Sequence, residues 1–235
     1  MVNLSLYSKF AEKRRNGILY LFLYDRVRAA LEKLGLSILL SIVFEYENLD
    51  PSSLKPIPED YRVEVLGAND MPEVAAIDGF DYTHAALVER FANGANCFGL
   101  RHRGELVAFM WYNLTRKRLD IAPIELSETE AYTFDAYTSP VHRGKKLNAL
   151  LKCHAYKELQ RTGLTKFLSY TDYFNTPSIK SHRRLGCKPI CLVLNIGLFG
   201  RFERSFTLKR YETHASYLMT KGLSDAEASI DAARR

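Results

Sequence analysis

Paired cysteines and metal-ligand clusters are missing from this sequence. Its 235 residues include four cysteines, Cys97, Cys153, Cys187 and Cys191, and none of them forms a CxxC pair or accompanies a His cluster. The spacing therefore indicates neither a zinc site nor a disulfide framework. We expect no metal site, and we expect reduced thiols in a cytoplasmic protein.

Long apolar runs and long charge runs are also missing. No stretch approaches the roughly 20 apolar residues that span a bilayer, and the first apolar run, soon followed by Asp25, is too short for a signal peptide. The formal net charge is +6, yet the densest basic clusters are KRR at 13–15 and RKR at 116–118. This pattern disfavours nucleic-acid binding and is compatible with a phosphorylated cofactor.

The residues that are present divide the chain into three parts. Residues 1–57 form an N-terminal extension, residues 58–210 a main domain, and residues 211–235 a polar, Ala-rich tail. In the extension, residues 19–34 have helical spacing before Gly35, and Leu36 to Tyr46 is consistent with a strand. Its basic cluster and aromatic helix suit a membrane surface or a lipid-like acceptor. Packing against the main domain or a homodimer contact is the simpler interpretation.

From residue 61 onward, the predicted order of elements is β-α-α-β-β-β-α-β-α-β-β. The clearest helix opens at about Arg143-Gly144 and closes at Gly163. Its apolar stripe consists of Leu147, Leu150, Leu151, Ala155 and Leu159. A shorter helix is predicted from Pro177 to Leu185. This order predicts a mixed sheet with helices on its faces.

The stretch TSPVHRGKKLN, residues 138–148, joins a strand to the clearest helix. The first turn of a helix presents free N–H groups and the positive end of the dipole, which together bind phosphate. Gly144 permits a close approach, and Arg143, Lys145 and Lys146 add positive charge. An ordinary turn with a basic surface is the alternative. Neither GxxxxGK[ST] nor GxGxxG is present.

The stretch NTPSIKSHRRLGC, residues 175–187, follows another predicted strand. Asn175 lies at the carboxyl end of that strand, where open sheets bind their ligands. A helix N-cap is the alternative role for this Asn.

Together, in this order, the two stretches resemble the motifs of the GNAT superfamily of acyl-CoA N-acyltransferases. The family's first motif, V-x-P-x-x-R-G-x-G-x-G/A, is matched at Pro140, Arg143 and Gly144. The second, N-x-x-A/S-x-x-x-Y-x-x-x-G-F, is matched at Asn175, Ser178 and Gly186. The resemblance covers about residues 61–210. It implies an α/β fold in which a mixed, mostly antiparallel central sheet is flanked by helices.

The resemblance also implies a reaction. An acetyl or longer acyl group would move from acyl-CoA to the primary amine of a small molecule, such as an amino sugar or an amino acid, by direct attack on the thioester. Backbone amides of 143–148 would hold the pyrophosphate, residues 136–138 would pair with the pantetheine arm, and Asn175 would lie near the thioester. The implied cofactor set is Ala136, Tyr137, Thr138, Arg143, Gly144, Lys145, Lys146, Leu147, Asn148, Asn175 and Ser178.

Several positions depart from the family pattern. Lys146 replaces a Gly, Asn148 replaces Gly or Ala, and Cys187 replaces Phe. His182 replaces the Tyr that protonates the departing thiolate in many members. Neutral His182 can act as a base, and its protonated form is a better acid than Tyr.

No obvious general base follows from the motifs. Some family members place a Glu five residues before the Asn, where this chain has Tyr170, a poor base at neutral pH. Asp135 and Asp172 are the acidic residues nearest the motifs. The catalytic candidates are therefore His182, Asp135, Tyr170 and Asp172. Direct attack needs geometry more than it needs a base.

Two other interpretations stay open. Lys146 and the basic helix would suit the acidic face of an acyl carrier protein as donor. The missing Gly and the missing Glu are compatible with a non-catalytic acyl-CoA-binding sensor or scaffold. Trp111 and Tyr112 either line the acceptor pocket or fill the core.

Overall fold

The structure, a computed structural model, describes residues 19–47, 56–77, 82–115, 121–122 and 124–211. The helices are α1 Leu19–Glu32, α2 Met71–Ala75, α3 His84–Ala92, α4 Leu147–Gln160 and α5 Thr176–Arg184. The strands are β1 Leu36–Tyr46, β2 Tyr61–Leu66, β3 Ala95–His102, β4 Glu105–Asn113, β5 Glu130–Thr138, β6 Lys166–Asp172, β7 Lys188–Leu198 and β8 Phe202–Arg210. The basic clusters at 13–15 and 116–118 and the tail from 212 lie outside the described residues.

The strands form one sheet in the order β2-β3-β4-β5-β6-β1-β7-β8. In the part of the chain that the structure describes, β5 and β6 are the only parallel pair, and every other neighbouring pair is antiparallel. The predicted mixed, mostly antiparallel α/β architecture is confirmed. The element order from β2 to β8 is also the predicted one. Within the described residues, no helix is long and apolar enough to cross a membrane.

Strand β1 lies inside the sheet, between β6 and β7, and is antiparallel to both. Val43 and Phe44 on this strand are fully buried. Helix α1 is joined to it through Tyr24, whose hydroxyl accepts a 2.7 Å hydrogen bond from the Leu40 amide. The N-terminal segment thus supplies an interior strand, while the domain limits at 57 and 210 stay predictions.

Strands β5 and β6 separate halfway along their length. Their pairing runs only from Glu130 opposite Lys166 to Thr133 opposite Ser169. Beyond that point β5 stays with β4 as far as Thr138, and β6 stays with β1 as far as Asp172. A gap therefore opens at the carboxyl ends of the two parallel strands, and among the described residues the backbone edge of 134–138 that faces β6 has no strand partner.

A β-bulge reshapes β5 at the same level. Phe109 lies opposite Tyr137 and Trp111 opposite Phe134, so β5 has one more residue than β4 in this interval. Asp135 in the bulge has a φ of 43°, in the left-handed region. Such a conformation costs a non-Gly residue about 1 kcal/mol, and bulges of this kind redirect side chains.

The two faces of the sheet carry separate apolar clusters. Helix α4 covers one that includes Phe44, Tyr112 and Phe167, whereas α2 and α3 cover one that includes Phe109 and Trp111. Trp111 and Tyr112 are both fully buried, on opposite faces, as alternation along a strand requires.

Candidate functional site

The gap between β5 and β6 is the mouth of a cleft of about 370 Å³. The end of β5, the loop after it, the start of α4, and α5 supply its walls. The predicted residues that it brings together are Asp135, Ala136, Thr138, Arg143, Gly144, Lys146, Leu147, Asn148, Tyr170, Asn175, Ser178 and His182. Tyr137, Lys145 and Asp172 do not line it. Tyr137 instead stacks on Phe109, with ring centroids 5.6 Å apart.

The loop between β5 and α4 contains a tight, irregular turn. Residues Pro140–His142 form a single 3₁₀ turn, and Gly144 then has a φ of 79°. A Cβ at Gly144 would meet nothing within 4 Å, so the glycine is needed for its backbone conformation and not for space. Because of this turn α4 begins at Leu147, later than the sequence predicts.

The N-cap of α4 is Lys146, with φ 63° and ψ 19°, and it makes no side-chain capping bond. A left-handed residue at this position explains why the family motif has glycine there. The Leu150 amide donates to the Lys146 carbonyl at 3.1 Å. The amides of Leu147, Asn148 and Ala149 therefore have no partner within the helix and can bind an anion.

The three basic side chains of the loop diverge. Arg143 Nε donates to the Thr138 carbonyl at 3.0 Å and Arg143 remains at the cleft, as does Lys146. Lys145 Nζ instead donates to Tyr61 Oη at 3.3 Å, and that hydroxyl also lies 2.9 Å from His142 Nδ1. Burial and the charge of Lys145 lower the pKa of His142. Of the three basic side chains of the loop, Arg143 and Lys146 thus bring their charge to the cleft.

Asn175 caps helix α5. Its side-chain oxygen accepts a 3.2 Å hydrogen bond from the Ser178 amide, which is the alternative role considered from the sequence. Asn175 and Ser178 also line the cleft, so a contact of either with the cofactor stays a prediction.

His182 is buried beneath the cleft in one tautomer. Nδ1 lies 2.8 Å from the Ser178 carbonyl, which can only accept, so Nδ1 carries the proton. Nε2 then accepts from Ser169 Oγ at 2.8 Å and from Lys152 Nζ at 3.2 Å. Burial, and then the charge of Lys152, lowers the pKa of His182 to about 3. The ring is therefore neutral at pH 7, and the protonated acid considered from the sequence is a minor species.

Lys152 is a cleft residue that the sequence interpretation missed. Its side chain is buried, lines the cleft, and lies over the Tyr46 ring with Nζ 5.0 Å from the centroid. Burial lowers the pKa of this amine. A signal was present, because Lys152 lies three residues before Ala155 and seven before Leu159 and so falls on the same face of α4 as the apolar stripe.

Asp135 lies at the junction of the cleft and a second cavity. Its Oδ2 accepts a 2.7 Å hydrogen bond from Arg90 Nη2. The second cavity, of about 240 Å³, shares Phe134, Asp135 and Tyr170 with the cleft. Neither cavity is lined by Asp172, whose Oδ1 lies 4.0 Å from Arg28 Nη1 and whose pKa burial raises. The structure brings together Asp135 and Tyr170 but not Asp172.

Comparison with known proteins agrees with this geometry. The model of the acetyltransferase (GNAT) family matches residues 63–187, more than half of the chain. No curated protein matches the sequence.

Among solved structures, a GCN5-related N-acetyltransferase from Kribbella flavida is 19% identical, with a TM-score of 0.50, over 72% of this chain and 62% of that one. A GCN5-related N-acetyltransferase from Sphaerobacter thermophilus is 12% identical, with a TM-score of 0.51, over 73% of this chain and 55% of that one. A tandem GNAT protein from the clavulanic acid biosynthesis pathway is 17% identical, with a TM-score of 0.51, over 70% of this chain and 55% of that one. These likenesses concern the fold, and the chain spans less than two thirds of each of the three structures.

Proposed function

The chain belongs to the GNAT family of acetyltransferases, and on that premise we propose that it moves an acetyl or longer acyl group from acyl-CoA to the primary amine of a small molecule. The observation that carries this proposal is the cleft where β5 and β6 separate, beside the uncapped start of α4. An amino sugar or an amino acid is a suitable acceptor, because the adjoining cavity is small and rich in aromatic side chains.

The cleft has groups that suit both the pyrophosphate and the pantetheine arm of acyl-CoA. The free amides of Leu147, Asn148 and Ala149, with the charges of Arg143 and Lys146, would hold the pyrophosphate. The unpaired edge of β5 at residues 134–138 would take the pantetheine arm as an added strand, which satisfies the same backbone groups that β6 leaves open. The bound thioester supplies the electrophilic carbonyl carbon.

The amine and the thiolate need separate proton routes. The amine nitrogen attacks the carbonyl carbon, the C–N bond forms, and the C–S bond breaks with its electron pair leaving on sulfur. Asp135, which lines both cavities, is placed to accept the proton that the amine loses. Tyr170 lies at the same junction, where it can orient the amine.

The buried cluster of Lys152, Ser169 and His182 is suited to the other proton. Its three side chains meet at His182 Nε2, and all three line the cleft. Because His182 Nδ1–H is committed to the Ser178 carbonyl, the transferable proton of the cluster is that of the Lys152 ammonium, since loss of a proton from Ser169 would leave an alkoxide. We assign to this cluster the protonation of the departing thiolate, with His182 holding Lys152 and Ser169 in place.

Calorimetric titration with acetyl-CoA tests the proposal. The matched variants are Lys146→Glu, at the cleft, and Lys145→Glu, whose side chain is turned to Tyr61. We expect Lys146→Glu to weaken binding at least roughly 10-fold, because it places a carboxylate at the phosphate site, and Lys145→Glu to weaken it less. Absence of wild-type binding would overturn the acyl-CoA donor and favour an acyl carrier protein. Tight binding without turnover of any amine would favour a sensor.

A further inference from the structure

The second cavity lies between helix α3 and the middle of the sheet. It is lined by Tyr82, Arg90, Asn93, Ala95, Asn113, Tyr132 and the three residues shared with the cleft. Because the shared residues lie where β5 and β6 separate, a molecule in this cavity is next to the proposed acyl-CoA cleft. The inference below rests on the proposed function and concerns the chemistry of its acceptor.

One ion pair is exposed on the wall of this cavity. The Arg90 and Asp135 side chains retain 15% and 27% of their exposure, so they are neither sealed in the core nor freely solvated. Asp135 lines both cavities, whereas Arg90 lines only the second. The pair is therefore directional, with its negative end toward the cleft and its positive end away from it.

The guanidinium of Arg90 lies against three aromatic rings, and one of its nitrogens lacks a hydrogen-bond partner among the described residues. Its guanidinium carbon lies 4.2 Å from the ring centroid of Tyr82, 5.0 Å from that of Trp111 and 5.2 Å from that of Phe134. Stacking on aromatic faces holds the guanidinium plane and leaves its edges for hydrogen bonds. Nη1 is buried and has no hydrogen-bond partner among the described residues. A desolvated donor without a partner is costly, and a carboxylate reached by a small rotation of the guanidinium would satisfy it.

We propose that the acceptor is a zwitterionic α-amino acid, with its carboxylate bound by Arg90 and its amino group held beside Asp135. The carboxylate and the ammonium of such a molecule are attached to the same carbon. They can therefore face the guanidinium of Arg90 and the carboxylate of Asp135 together, each beside the group of opposite charge. The direction of the pair places the amino group toward the cleft, where attack on the thioester occurs. A polycationic amino sugar would instead meet the guanidinium with like charge. The rings of Tyr82, Tyr132 and Phe134 line the cavity in which the amino-acid side chain would lie.

Matched acceptors test this assignment on the wild-type protein. Thiol release from acetyl-CoA is measured with L-tyrosine beside tyramine, with L-leucine beside isoamylamine, and with glucosamine. We expect kcat/KM to be at least roughly 10-fold higher for each amino acid than for the amine that lacks the carboxylate, because a charge-assisted hydrogen bond contributes that much. Equal rates, or a preference for the amines or glucosamine, would overturn the amino-acid acceptor and leave the acyltransferase proposal intact.

A variant at Arg90 links the preference to this side chain. In Arg90→Met the ratio between L-tyrosine and tyramine should fall toward one, whereas in Glu89→Gln, an exposed position on the same helix, the ratio should stay at the wild-type value. An unchanged ratio in a folded Arg90→Met protein would overturn the assignment. If Arg90→Met does not fold, the wild-type comparison of matched acceptors decides alone.

A binding measurement separates this inference from the proposed function. If no amine is turned over, the CoA-loaded protein is titrated with L-tyrosine and with tyramine. Binding of L-tyrosine at least roughly 10-fold tighter than tyramine would support recognition of a zwitterion while overturning catalysis. Equal binding, or none, would overturn the zwitterion as well.

Discussion

Two strand-to-helix junctions flank the cleft, and they are built in opposite ways. At the junction of β6 and α5, Asn175 caps the helix with its own side chain. At the junction of β5 and α4, Lys146 occupies the N-cap in a left-handed conformation and provides no side-chain cap. A capped helix start has used one of its free amides, whereas an uncapped one keeps its amides for a ligand. The difference indicates that the junction of β6 and α5 is built for stability and that the junction of β5 and α4 is built for anion binding.

Gly144→Ala should affect the junction of β5 and α4 most strongly, and Gly163→Ala provides a matched control. Both glycines have positive φ, 79° and 94°, and an added Cβ would meet nothing within 4 Å at either. Ala at each should therefore cost a similar free energy of unfolding, roughly 1–2 kcal/mol. Only Gly144→Ala should also weaken acetyl-CoA binding, at least roughly 10-fold, because only that turn precedes the free amides. Thermal melts and calorimetry measure the two effects, and equal affinities in the two variants would contradict the assignment.

Lys152→Met should lower turnover while it raises the stability of the folded protein. Turnover should fall roughly 10- to 100-fold, because a proton-donating group is removed, while acetyl-CoA affinity changes little. The folded protein should become more stable at pH 7, since burial lowers the Lys152 pKa and the unfolded chain gains most from the charged amine. Steady-state kinetics measure the turnover, and urea unfolding measures the stability. A less stable variant would show that Lys152 contributes to the fold in its charged form.

Substitutions at Asn175 test whether the capped junction of β6 and α5 contributes to stability alone. Asn175→Ala removes the cap and should cost about 1 kcal/mol of unfolding free energy. Asn175→Asp keeps a capping oxygen and should retain stability, but it has no amide N–H to offer the cofactor. If affinity for acetyl-CoA is the same in Asn175→Asp as in the wild type, the residue is a cap alone. Lower affinity at wild-type stability would add a direct contact.

His182 should also impose a pH dependence on the stability of the folded protein. Its pKa is about 3 in the folded protein and about 6.5 in the unfolded chain, so between these values only the unfolded chain binds the proton. Stability should therefore fall as pH decreases from about 6.5 toward about 3. His182→Asn should flatten this part of the profile, as measured by urea unfolding at a series of pH values. An unchanged slope would show that other groups dominate acid unfolding.

Local patterns predict much of this molecule. The element order follows from periodicity and turn residues, because these depend on neighbours in sequence, and the two motifs are recognised by their resemblance to a family. The sequence predicts too early a start for α4, since helical propensity gives no warning that Lys146 adopts a left-handed conformation. The pairing of Arg90 with Asp135 joins residues 45 positions apart, and no local pattern records it. The place of β1 between β6 and β7 was missed for the same reason.

The position of β1 also bears on how the chain acquires its fold. Ser41 pairs with Asp172 on one side and with Val193 on the other. Strand β1 therefore cannot complete its pairing until β6 and β7, which lie much later in the chain, have been synthesised. Such long-range pairing raises contact order and slows folding, and it leaves apolar strands exposed in the meantime. The half of the sheet from β2 to β5 is built from consecutive antiparallel neighbours and can assemble first. We therefore expect the half that carries His182 to close last, so that the cleft is completed only after β7 has been synthesised.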